Sequence, residues 1–204
     1  MSSLPFSVTI LALVTVLVFL GLGQRVLDNM RLTDSTAILI LILMILGHFL
    51  PTISLSPLLA VNLGGFIPIG VVIYLMLTTS RVEQKRAAFV SLATALATLL
   101  SDKLLPIQPG FLDPVFSGGI FAGLLATLVG RSRRGAFIAG LMGVFLVDLA
   151  SVVQLRFSGI EQQITLGGGG LFSSTVVSAF LAVIISEILG EIREKTHLGG
   201  HDDA

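Results

Sequence analysis

Apolar runs as long as a bilayer is thick follow one another along this chain, with little polar sequence between them. Residues 136–155 read AFIAGLMGVFLVDLASVVQL, and a hydrocarbon core of about 30 Å needs about 20 such residues in a helix. Comparable runs occupy 6–23, 35–50, 57–79, 87–101, 114–130 and 171–189. Composition agrees, because 54% of the 204 residues are hydrophobic and only 12% charged, with a mean hydropathy of +1.00. An ordinary soluble domain does not look like this. The expected fold is all-α, a polytopic membrane helix bundle of about seven transmembrane helices. Residues 1–190 form its single transmembrane domain and 191–204 a short polar cytoplasmic tail. The first run has no cation before it and Arg25 after it, the reverse of a secretory signal peptide, so it is expected to be a retained span.

Two runs carry breaks. The run 35–50 stops at Pro51 and is short for a crossing, so it is either a full span or re-entrant. The next is expected to start as a helix after Ser56, a cap residue, with Pro57 at the first helical position. Asn62, Gly64, Gly65, Pro68 and Gly70 then invite an interruption near 62–68, and the tetraglycine at 167–170 invites another. Such backbone is tolerated at membrane depth only inside protein or beside a wet cavity.

Cations set the orientation. Arg25, Arg31, Arg81, Lys85, Arg86, Arg131, Arg133, Arg134, Arg193 and Lys195 fall on alternate loops or the tail, while Lys103 and Arg156 alone fall on the opposite side. The positive-inside rule then puts the amino terminus outside and the carboxyl terminus in the cytoplasm. The arginines of the inner side are expected to be mostly solvated, and Glu187 to mark emergence into water. Gly119 and Gly123, and likewise Ala93 and Ala97, are spaced for close helix contact.

One carboxylate interrupts the sixth run. An acid inside a span costs about 3 kcal/mol on insertion scales, so Asp148 is a functional candidate by default. In this topology it lies in the outer leaflet, where Asp102, Lys103 or Arg156 are candidate ion-pair partners. Asp113 is explained by capping the helix that begins at Pro114. His48 is a lone interfacial histidine, and His197, His201, Asp202 and Asp203 belong to a solvated tail, so no metal site is expected. The chain has no cysteine, which removes disulfides, thiol nucleophiles and thiolate metal sites. Neither GLG at 21–23 nor the four glycines at 167–170 has the context of a nucleotide loop. No cofactor and no nucleic-acid partner are expected.

Three stretches resemble an uncharacterised family of prokaryotic multi-span membrane proteins, domain of unknown function 1614. They are VNLGGFIPIGVVIYL at 61–75, VDLASV around Asp148, and GGGGLFSSTVVSAFL at 167–181. The resemblance implies an Asn-x-Gly-Gly motif with a following proline, here Asn62, Gly64, Gly65 and Pro68. It also implies an Asp-Leu pair on a span, here Asp148 and Leu149. A third motif has Gly-Gly-x-Gly and then an Asp after Phe, where this chain has Ser173 after Phe172. The missing second acid weakens an analogy with intramembrane aspartyl proteases, in which one acid and one base flank an activated water.

The leading expectation is a small transport or solute-binding protein of a prokaryotic plasma (inner) membrane. Its outward-facing polar pocket combines Asp148, Asn62, Gly64, Gly65 and Ser173, with Asp148 serving a substrate or proton pathway. The alternatives are an intramembrane aspartyl hydrolase-like enzyme, with no catalytic residue assigned by motif, and a non-catalytic assembly or scaffold protein. Expected partners are the lipid bilayer and, through the small-residue faces, other membrane helices or further copies of the chain.

Overall fold

The computed structural model describes residues 43, 46–47, 49–57, 59–104, 114–129, 132–159, 162–167 and 174–198. The first expected span and most of the run 35–50, with His48, lie outside them. So do Arg131, Asp113, Ser173 and the last six residues.

The described chain is mostly helical, but residues 52–56 and 59–62 form strands. Strand β1 (Thr52–Ser56) pairs antiparallel with β2 (Leu59–Asn62), and β3 (Ile164–Leu166) adds to β2 in parallel, giving the order β1-β2-β3. Thr52 faces Asn62 and Ser56 faces Leu59, with a register shift between Ser54 and Ser56. Leu59, Ala60 and Val61 pair with Ile164, Thr165 and Leu166. This corrects the all-α expectation. Ser56 and Pro57 do not open a helix but sit at the hairpin turn, where a fixed proline φ is equally at home. A short apolar run does not distinguish strand from buried helix by periodicity alone.

After a 3₁₀ turn at Leu63–Gly65, helix α1 (Phe66–Leu77) has 12 residues and is about 18 Å long. Four helices follow: α2 (Arg81–Leu104), α3 (Pro114–Val129), α4 (Arg133–Ser158) and α5 (Ser174–Leu198). Three segments, Arg81–Leu104, Arg133–Ser158 and Ser174–Lys195, are long and apolar enough to cross a membrane. Ser132 caps α4 by accepting the Gly135 N–H, and Gly159 ends it in the left-handed conformation at φ 66°, the usual way a helix stops.

Helices α2 to α5 pack as one bundle, with α4 against α2, α3 and α5. Leu75, Ile138, Leu141, Val176 and Val183 are fully buried. Gly119 and Gly123 do lie at a close helix contact. A Cβ on Gly119 would sit 2.9 Å from Ser178 O, and one on Gly123 2.8 Å from Ala182 O, so α3 rests on the backbone of α5. On α2 the contact face is instead Ser91, Thr94, Ala95 and Thr98, beside the expected Ala93 and Ala97. The outside of the bundle is apolar: Phe89, Leu92, Leu96 and Leu100 line α2, Leu128 is 77% exposed and Phe157 87%. Water would penalise a continuous surface of this kind, whereas lipid would not.

Candidate functional site

Polar side chains gather at the two ends of the bundle and along one seam between them. At the strand end, Asn62 holds the chain reversal together. Its Nδ2 donates to Leu50 O and Thr52 Oγ1, both at 3.0 Å, and its Oδ1 accepts the Gly64 N–H at 2.8 Å. A Cβ on Gly64 would collide with the Gly47 carbonyl, and one on Gly65 with the Gly167 backbone. Gly167 takes φ 69°, which L side chains rarely adopt. The two segments expected to interrupt helices therefore meet, through glycine backbones and the β2–β3 pairing. Among the described residues they are a strand-and-turn cap, and the Asn62 amide is committed to it.

Asp148 lies on α4, half-buried, on the face shared with Leu141 and Val144. A few contacts set its level. Ser132 hydrogen-bonds Glu83, and a Cβ on Gly143 would lie 2.7 Å from Thr94. The two pairs are equally spaced on each helix, so α2 and α4 run parallel in constant register. Gly118 of α3 faces Val144, while Val129 shares a cleft wall with Gly135, so α3 runs antiparallel. Arg133 joins Glu187 and Gly140 packs on Ala179, making α5 antiparallel too. Continued along α4, these registers bring Asp148 level with Leu99 of α2 and with Pro114, where α3 begins. Ser174, the first residue of α5, is about one turn, roughly 5 Å, further in.

In the described residues α3 begins at the carboxyl layer with Pro114. Beneath it, Ser178 Oγ and Thr98 Oγ1 flank Gly118. Thr98 donates to Thr94 O at 2.9 Å. Among the described residues, Thr94 Oγ1 and Ser178 Oγ are buried without a hydrogen-bond partner. Asp148 likewise makes no hydrogen bond or ion pair among them, so Asp102, Lys103 and Arg156 are not its partners there. Asp102 lies about three residues beyond the Asp148 level, about 4.5 Å along the axis.

The opposite end is different: Arg81, Lys85, Arg86, Arg193 and Lys195 are exposed, as expected of mostly solvated cations, but Arg133 and Arg134 are not. Arg133 grips Glu187 through both Nε and an Nη, the second contact at 2.7 Å, with side chains 30% and 15% exposed. Glu187 is an ion-pair partner rather than a marker of water. Arg134 is 6% exposed and donates to Thr78 O at 3.3 Å and to Thr78 Oγ1 and Thr79 Oγ1 at 3.2 Å. Gln84 Nε2 donates to Met76 O at 2.7 Å and Thr79 O at 3.1 Å. Together they satisfy the carbonyl end of α1, where cations and donors are favoured. The signal for Arg133–Glu187 was available: an antiparallel helix pair with an acid in one apolar run and an arginine at the start of the other.

No group of three or more potential metal ligands occurs among the described residues. What the fold and the seam define is a helical bundle with membrane-length apolar helices, which fits a membrane protein of unestablished activity. The chain belongs to the family described as protein of unknown function (DUF1614), whose signature it matches over residues 24–185. No curated protein and no solved structure matches it.

Proposed function

We propose that this protein is a small transport or solute-binding protein of a prokaryotic plasma (inner) membrane, acting through Asp148. The observation that carries this reading is the contrast in partners. Asn62, Glu83, Arg133, Arg134 and Glu187 all have hydrogen-bonding partners that explain them structurally, whereas Asp148 has none among the described residues. A carboxyl kept inside a span without a structural partner is expected to serve a passing proton or solute. In this reading about seven helices cross the bilayer, with the amino terminus outside. The polar pocket opens outward, with the strand cap near its rim.

Reconstituted vesicles holding a pH dye test the reading. Under an imposed potential, wild-type vesicles are expected to take up protons and Asp148→Asn vesicles to fall to the protein-free rate. Equal rates for the two would sink it. Because the chain has no native cysteine, Asp148→Cys adds a second check: an impermeant thiol reagent supplied from outside is expected to label it in intact cells.

A second reading, an aspartyl hydrolase-like site, draws on the closeness in level of Asp102 and Asp148. It requires a disulfide between cysteines placed at 102 and 148 to form readily. Failure of that cross-link in folded protein removes the reading.

A further inference from the structure

A serine or threonine inside a helix commonly donates its hydroxyl to the carbonyl four residues back. Ser91, Thr98, Thr127 and Ser151 do so here, at 2.8–2.9 Å. Thr94 and Ser178 do not. Both residues are fully buried, and among the described residues neither hydroxyl has a hydrogen-bond partner. A buried polar atom without a partner destabilises the fold that holds it, so two of them call for a reason outside static packing.

Their place supplies one. Ser178 Oγ of α5 and Thr98 Oγ1 of α2 lie 3.4 and 3.7 Å from the point that a Gly118 Cβ would take on α3. Hydroxyls of two helices therefore face one point. From α4 the Val144 Cγ2 methyl fills it, 2.5 Å away. Val144 is one turn inward of Asp148 on the same face, about 6 Å along the helix. Thr94 lies one turn beyond Thr98 on α2, with its methyl against Gly143 and its hydroxyl unused. A further turn on, Val90 lines a small cleft from the Arg133 end, which also touches Glu83 and Arg86 and has room for about one water. Hydroxyls thus run from below the Asp148 level to within a turn of that cleft, and one methyl interrupts them.

We infer that Thr98, Ser178 and Thr94 form the inner leg of a proton path from Asp148, closed in this conformation by the Val144 side chain. The inference rests on transport through Asp148. When Val144 moves aside, water enters at Gly118, takes the carboxyl proton and passes it along hydroxyls that accept one hydrogen bond while donating another. Until then an apolar constriction keeps water out and conduction off.

Reconstituted vesicles of the full chain, holding a pH dye under an imposed potential, test it. Val144→Ala removes the closing methyls and is expected to raise proton uptake about tenfold. Val183→Ala, a comparably buried truncation on α5, should leave uptake unchanged. Thr94→Val combined with Ser178→Ala is expected to cut uptake about tenfold, and to cancel the gain when added to Val144→Ala. Since that pair removes only unpartnered hydroxyls, its melting temperature in detergent should not fall. Wild-type uptake by the pair overturns the proposal, and so does lost uptake with a lowered melting temperature, which would make the hydroxyls structural. Absence of a gain in Val144→Ala, or an equal gain in Val183→Ala, overturns it as well. Each of these failures leaves Asp148 in its role. Equal uptake by wild type and Asp148→Asn is the separate result that removes the transport reading, and the inner leg with it.

Discussion

The two ends of this bundle solve the problem of polar groups in an apolar protein in opposite ways. At the Arg133 end, charges are matched side chain to side chain, and even the carbonyls ending α1 are met by Arg134 and Gln84. At the strand end, backbone meets backbone through glycines, Asn62 and Gln163 add side-chain locks, and Asp148 is left without a partner among the described residues. Structural demand accounts for the first end almost completely. Toward the second it leaves Asp148 and, beneath it, the Thr94 and Ser178 hydroxyls without side-chain partners among the described residues.

Breaking the paired end is expected to cost most. Glu187→Ala leaves the half-buried Arg133 guanidinium unmatched and should destabilise the folded state by about 3 kcal/mol, measured by denaturant titration in detergent micelles. Exchanging the two, as Arg133→Glu with Glu187→Arg, should recover more than half of that loss if the pair is the cause. Asn62→Ala comes next, because it strands the buried Gly64 N–H and releases the hairpin, at about 2 kcal/mol. Its signature is increased protease cleavage near Pro57 with helicity retained. Smallest is Asp148→Asn, expected to change stability by less than about 0.5 kcal/mol, since no partner is lost. A loss as large as that of Asn62→Ala would erase the contrast and make Asp148 a packing group.

Much of the helical architecture was legible because membrane burial writes itself as long apolar runs. The segments read at 87–101, 114–130, 136–155 and 171–189 each contain or overlap a helix of the structure. The start of the run 57–79 reads as helix but is strand at Leu59–Asn62, since Leu58, Leu59, Ala60 and Val61 form a short apolar run equally consistent with strand and span. Pairing between β2 and β3 links residues about a hundred positions apart, a distance no local pattern reports. Asp148 announced itself as a charge in an apolar run, but its level against α3 depends on which helices pack and in what direction. Arg133 and Arg134 border a basic loop, a position that by itself suggests surface. Burial is a property of the assembled bundle.

The parallel pairing of β2 with β3 also fixes an order of assembly. Strand β3 is made only after α1 to α4, and it can add to β2 only when those helices have brought the two strands side by side. A loop of that length is costly to close before the helices pack. The sheet therefore comes last and acts as a latch on a finished bundle. A chain truncated before Ile164 is expected to insert its helices yet leave 52–62 open to protease, whereas protection of that hairpin in the truncated chain would mean that it folds without its third strand.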